Sequence, residues 1–195
     1  YWGEVRVGTY MWGSSIINLA HDNDMIGVES STMNGANAST SWSALYSAID
    51  QANAVLKYAP LVDMPEKDRS FAIGQASFAR AFCYFYAARL WGDVPLNLVP
   101  IESVSQPECY PVRAPKADVY AQIAVDIQTA LDNAANLGTE CYFATKTAVN
   151  ILKAEYALWM YTNQKGGDSY LTMASEAVAA LDLTSGALLD DYSQV

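Results

Sequence analysis

Positive charge is scarce in this chain: 11 Lys and Arg stand against 21 Asp and Glu, a formal charge of −10 over 195 residues. A phosphate-backbone binder needs a basic footprint, so the composition argues against nucleic acid as a partner. Histidine occurs once, at His21, and no Cys-x-x-Cys spacing exists. That removes the usual zinc donors, and no metal or cofactor is expected. Only three cysteines are present. Cys83 falls in an apolar helical stretch and reads as a buried thiol. Cys109 and Cys141 fall in loops flanking one helix, which leaves a bridge between them open. Long hydrophobic runs are lacking too. The most apolar stretch, residues 74–91, is too short and too interrupted by Arg80 and Arg89 to span a bilayer. The chain begins at Tyr1-Trp2-Gly3 with neither an initiating Met nor a basic-then-apolar leader, so it reads as a mature or trimmed polypeptide.

What is present is alanine and aromatic side chains. Hydrophobic residues make up 52 % of the chain, and there are 13 Tyr and 5 Trp. Much of the apolar content is alanine, which suits helices packed closely through small faces. Residues 1–38 are rich in Gly, Asn, Ser, Trp and Met, with one brief helical periodicity at Ile16, Ile17, Leu19 and Ala20. They read as an irregular loop segment. Residues 40–195 read as helical. The spacing of Trp42, Leu45, Tyr46, Ile49, Ala52, Asn53 and Leu56 predicts a helix over 40–58, ended by Pro60. A central helix starts between Glu66 and Phe71 and stops at Gly92. It is apolar on most of its circumference and so is expected to be covered on several sides. Asp93-Val94-Pro95 then forces an extended exit.

Pro115 opens a further helix with Asp118 near its positive end. Its inward face is Val119, Tyr120, Ile123, Ile127, Leu131 and Ala134. Lys116, Gln122, Asp126, Thr129 and Asn133 are expected to look outward, and Gly138 to close it. Thr145 is expected to cap a helix over 146–162 with Ala148, Ile151, Leu152, Ala154, Leu158, Trp159 and Tyr161 inward. After a turn at residues 164–167, Asp168 is expected to cap a last helix facing inward with Leu171, Ala174, Ala177, Val178 and Leu181. This pair has the dimensions of a helix-turn-helix repeat unit. The fold class is therefore all-α with long irregular loops, and the pair is compatible with a tetratricopeptide-like helical repeat scaffold.

Several residues could carry chemistry. Trp2, Tyr10 and Trp12 lie in the irregular segment beside Asn18, His21, Asp22, Asn23 and Asp24. Flat rings cover the C–H faces of sugars while amides and carboxylates bond the hydroxyls. Trp2, Tyr10, Trp12, Asn18, Asp22 and Asn23 are thus the candidate ligand residues, against the alternative that the rings pack the loop onto the scaffold. Asp22, Asn23 and Asp24 lack the spacing of a calcium loop. His21 has no nucleophile at a recognisable spacing, and the acidic pairs show no convergence for paired-carboxylate hydrolysis. No catalytic residue is assigned. Arg80 and Arg89, nine residues apart, face opposite sides of the central helix and read as structural ties to helix ends and loop carbonyls. Asp93 reads as a turn carboxylate bonding nearby N–H groups, with Pro95 shaping the exit. Trp42, Trp91 and Trp159 read as core.

The run Gly74-Gln75-Ala76-Ser77-Phe78-Ala79-Arg80-Ala81-Phe82-Cys83-Tyr84-Phe85, followed by Gly92-Asp93-Val94-Pro95-Leu96, resembles the hallmark segment of the SusD/RagB family. These are outer-membrane glycan-capture lipoproteins of Bacteroidota. The chain departs from the family pattern at Gln75, Ala79 and Ala87. Residues 42–53, 113–131, 145–161 and 170–181 are also similar to family helices. The resemblance implies a non-catalytic surface protein that captures oligosaccharide, or less often peptide, and delivers it to a TonB-dependent outer-membrane transporter (SusC-like). It further implies an outer-membrane, surface-facing location through a lipid anchor. The first cysteine here is Cys83, so the anchor is expected upstream of residue 1, and the family's C-terminal half is expected to be absent from these 195 residues. The alternative is a helical module that docks on the transporter and holds no glycan itself.

Overall fold

The structure is a computed structural model, and it describes residues 32, 34, 35, 37, 40–133, 137 and 142–181. The chain divides into two units, Tyr1–Ala44 and Leu45–Val195. In the first, Asn37 and Thr40 close successive turns through their N–H groups to the carbonyls of Asn34 and Asn37. Five α-helices are described: α1 Ser43–Tyr58, α2 Glu66–Trp91, α3 Lys116–Asp132, α4 Lys146–Gln164 and α5 Ser169–Ala179. Two-residue strands β1 (Val94–Pro95) and β2 (Arg113–Ala114) pair antiparallel, with Val94 opposite Ala114 and Pro95 opposite Arg113. The architecture is thus helical, with a minor sheet where the loop after α2 returns toward α3.

Helix boundaries follow from local chemistry. A 3-10 turn with Pro60 follows α1 directly. Glu66 and Asp68 occupy the first turn of α2 and Arg89 its last, each sign complementing the nearby end of the dipole. Gly92 ends α2 at φ 73° and ψ −118°, a conformation open in practice only to glycine. The Thr145 hydroxyl accepts the Ala148 N–H at 3.1 Å and caps α4. Lys165 in the left-handed region ends α4, and its N–H and that of Gly166 both reach the Met160 carbonyl. A turn of four residues then folds α5 back on α4, its most extensive contact. Asp168 stands at the N-cap of α5 but its side chain makes no capping bond. Its backbone is already helical, at φ −67° and ψ −19°, whereas a capping side chain is normally aimed by an extended backbone.

Packing is tightest between α2 and α3. Ala81, Tyr84, Ala87 and Ala88 of α2 and Val119, Ile123, Ile127 and Ala130 of α3 are all buried. Each buried aliphatic chain contributes about 1.5–3 kcal/mol. Gly74 permits the closest approach, since a Cβ there would meet Leu137 Cδ2 at 2.8 Å and Asn133 Cβ at 3.2 Å. α3 ends at Asp132 with Asn133 as its C-cap, earlier than Gly138, which together with Ala134 lies outside the described residues.

Three expectations about faces are corrected. Asp126 is buried, because it pairs with Arg80 inside the α2–α3 contact. Ile151, Leu158, Tyr161, Leu171 and Val178 are exposed, because Val149, Leu152, Tyr156, Ala157, Ala174 and Ala177 supply the buried arcs of α4 and α5. The tryptophans at 42, 91 and 159 are each only partly buried.

Candidate functional site

The six ligand residues expected from the sequence, Trp2, Tyr10, Trp12, Asn18, Asp22 and Asn23, lie outside the described residues, as does His21. What the structure does place is the frame holding the long loop after α2, to which Arg80, Asp93 and Pro95 contribute at separate points.

The frame starts inside the α2–α3 contact. Arg80 Nε and Nη2 donate to the two Asp126 carboxylate oxygens at 2.8 and 2.7 Å, a two-pronged ion pair. The Arg80 and Asp126 side chains are 10 % and 1 % exposed, so this is a desolvated pair, and Gln122 adds a third bond to Asp126 at 2.8 Å. The remaining Arg80 donor, Nη1, reaches Asn53 Oδ1 of α1 at 2.8 Å. That bond fixes the Asn53 amide so that its Nδ2 donates to the carbonyls of Asn97 and Val99, at 3.0 and 3.2 Å. Tyr84 OH donates to the Asn97 carbonyl at 2.7 Å and accepts the Asn97 N–H at 2.8 Å. Asp50 accepts the Ile101 N–H at 2.7 Å, and Tyr46 OH donates to the Pro95 carbonyl at 2.5 Å. A charge deep in the core thus sets the path of residues 95–101.

At the loop's base, Asp93 Oδ1 accepts the Lys116 N–H at 2.8 Å, and the Asp93 carbonyl accepts from Arg113. Asp93 therefore caps α3 from 23 residues away, where its charge faces the positive end of the dipole. The N–H groups it satisfies are not the sequence-adjacent ones a turn carboxylate would take. Arg80 ties a carboxylate and an amide rather than carbonyls directly, and reaches the loop through Asn53. Arg89 pairs with Glu155 of α4 at 2.6 Å, and its guanidinium carbon lies 4.9 Å from the ring centres of both Phe85 and Trp159. Trp159 Nε1 donates to Tyr120 OH at 2.8 Å.

The phenols in and around this frame are held in their neutral form. Burial raises Tyr46, Tyr84 and Tyr156 well above the usual phenol range, and Tyr120 upward as well. Burial also raises the Cys83 thiol. The Tyr46, Tyr84 and Tyr156 hydroxyls thus act as neutral donors, to the carbonyls of Pro95, Asn97 and Tyr120. A hollow of about 50 Å³ behind the loop, lined by Tyr46, Ile49, Asp50, Asn53, Asn97 and Ile101, has room for water but not for a sugar ring. Among the described residues, no group of three or more His, Cys, Asp or Glu could hold a metal ion. Cys109 is a free thiol whose Sγ lies 3.1 Å from the Ser103 carbonyl, and Cys141 lies outside the described residues.

Beyond the clamp, the loop carries Val104, Tyr110 and Val112 outward, each more than 80 % exposed. Tyr110 offers a flat ring on a loop fixed at both ends, a residue that the sequence signals only by its place among prolines. Nothing in their sequence spacing joins Asn53, Tyr84, Tyr46 and Asp126 into one assembly. A signal is present at Asp126, which falls at helical spacing with Val119, Ile123 and Ala130 on the buried face of α3.

Comparison with known proteins gives a consistent answer. The SusD-like family model described as "Starch-binding associating with outer membrane" matches residues 5–158. SusD-like protein P38 of Formosa agariphila is 30 % identical over 166 residues, 84 % of this chain and 31 % of that protein. The structure of Bacteroides fragilis NanU matches with TM-score 0.75 and 25 % identity, covering 88 % of this chain and 35 % of that one. A structure solved with xylogluco-oligosaccharide matches with TM-score 0.70 and 27 % identity, covering 90 % and 34 %. The chain spans about a third of the length of these relatives.

Proposed function

Because the chain belongs to the SusD-like family of starch-binding proteins that associate with the outer membrane, we propose that it is the N-terminal helical portion of a non-catalytic glycan-binding protein at the cell surface. It captures oligosaccharide and passes it to a TonB-dependent transporter of the SusC kind, and a lipid anchor upstream of residue 1 tethers it to the outer membrane. The observation that carries this reading is the family match over most of the chain. The site fits it, since the clamped loop presents side chains on a rigid frame and the frame's phenols are held neutral. We assign ring stacking to Trp2, Tyr10 and Trp12 and hydroxyl recognition to Asn18, Asp22 and Asn23. Tyr110 adds a further exposed ring. Residues 1–38 act as the ligand-bearing loop segment and residues 40–195 as the scaffold.

Affinity electrophoresis through gels containing xyloglucan, laminarin or starch tests the reading. Retardation by one glycan, lost in Trp2→Ala or Trp12→Ala with the helical circular dichroism unchanged, is the expected outcome. Retardation unchanged in both variants removes the N-terminal site. No retardation by any glycan, combined with retained binding to the transporter, replaces the proposal with a purely docking module.

A further inference from the structure

Positive charge in this chain is not only scarce but already engaged. Arg80 is held by Asp126 and Asn53, and Arg89 by Glu155. Arg69 pairs with Glu66 and donates to the carbonyls of Val62 and Met64. Arg113 donates to the Asp93 carbonyl, and Lys57 pairs with Glu102. Every arginine among the described residues is thus turned onto the chain's own acceptors, and Arg6 is the only other one in the sequence. Exposed lysines mostly stand beside acids. Lys67 lies between Glu66 and Asp68, and Lys116 starts α3 where the Asp93 carboxylate holds its N–H. Lys165 precedes Asp168 by one short turn, which leaves Lys146 as a single ammonium without an acid near it in sequence. The segments assigned to the ligand are themselves acidic. Residues 1–38 hold Glu4, Asp22, Asp24 and Glu29 against Arg6, and the loop over 93–113 holds Asp93, Glu102 and Glu108 against Arg113.

We propose that the captured glycan is electrically neutral, and that this part of the protein rejects uronate, sulfated and other anionic glycans. The inference rests on the glycan-capture reading and names the substrate class of that same site. An anionic sugar is recognised best by a guanidinium fork, which meets a carboxylate or sulfate with two parallel N–H bonds. Among the described residues those forks serve Asp126, Glu155, Glu66 and backbone carbonyls instead. A neutral sugar suits the side chains that are present. Its hydroxyls both donate and accept, so Asp22, which only accepts, and Asn18 and Asn23, which do both, can all be satisfied. A carboxylate or sulfate only accepts, and beside Asp22 it sets two like charges against each other. Repulsion also acts before contact. The chain carries a formal charge of −10. Its field reaches about 8 Å at physiological salt and about 30 Å at 0.01 M.

Isothermal titration of the native polypeptide with neutral and charged oligosaccharides of matched length tests it. The neutral probes are malto-, laminari- and xyloglucan oligosaccharides. The charged probes are oligogalacturonate and a chondroitin sulfate oligosaccharide, and each titration is run at about 0.01 M and about 0.15 M salt. A neutral probe is expected to bind, with an affinity that changes less than about twofold between the two salts. Charged probes are expected to bind at least about tenfold more weakly, and more weakly still at the lower salt, where repulsion is less screened. A charged probe that binds as tightly as any neutral one, or whose affinity rises as salt falls, overturns the inference and leaves glycan capture standing. Binding of no probe of either kind defeats the capture reading, and this inference with it. Arg6→Ala examines the remaining arginine. Unchanged affinity for the neutral probe supports the inference, and affinity for a charged probe that the parent has and the variant lacks refutes it.

Discussion

Removing one partner of the Arg80–Asp126 pair is the most direct way to test whether the core charge holds the loop. In Asp126→Ala the guanidinium keeps a single bond, to Asn53, after losing the contacts at 2.8 and 2.7 Å. It remains 10 % exposed, so water replaces little of what is lost. Breaking a buried pair in this way costs about 3–5 kcal/mol. At this chain length each kcal/mol moves the melting temperature by about 2–4 °C, so a drop on the order of 6–20 °C is expected by circular dichroism. The double variant Arg80→Leu with Asp126→Leu removes both charges and is expected to be less destabilised than the sum of the two single changes, since neither charge is then left unpaired. Limited proteolysis adds a positional reading. With Arg80 displaced, Asn53 loses its orienting bond and residues 97–101 are cut faster than in the parent. A loss below about 1 kcal/mol for Asp126→Ala, or strict additivity in the double variant, refutes the reasoning.

Two further outcomes follow from the geometry. Gly92→Ala is expected to cost about 1–3 kcal/mol in urea unfolding, because φ 73° with ψ −118° is strained for any side chain. A silent Gly92→Ala would show that this conformation does not matter to the path of Asp93. Tyr46, Tyr84 and Tyr156 have raised folded-state values, so the folded chain holds phenolic protons that the unfolded chain releases first. Their contribution is complete below the unfolded phenol value of about 10 and is lost as pH rises beyond it. Alkaline unfolding monitored by circular dichroism is therefore expected to set in above about pH 10, with a shallower pH dependence in Tyr84→Phe. An unchanged profile in that variant sinks the assignment of Tyr84 as a buried titrating group.

Periodicity and punctuation in the chain were enough to locate the helices and most of their ends. Pro60, Gly92, Pro115 and Thr145 act through constraints on their own or adjacent backbone, and such effects do not depend on distant residues. The Gly74–Leu96 run also carries the family identity in its residue order. The faces were harder. Ile151 and Leu158 have helical apolar spacing and yet are exposed, because spacing defines a stripe but not whether a neighbour covers it. Asp168 shows the same limit on a small scale. Its residue type suits a cap, but its backbone conformation, set by the turn before it, leaves the side chain unused.

The sequence by itself determined where the described residues are helical, where most of those helices end, and which family the chain belongs to. Those properties reside in short-range sterics and in the identity of residues along the chain. Only the tertiary structure decided that Asp126 is inside, that Arg80 reaches the loop through Asn53, and that Asp93 caps a helix 23 residues away. Each of these depends on which helices meet and at what register, and the free energy that selects the register is shared across contacts far apart in sequence.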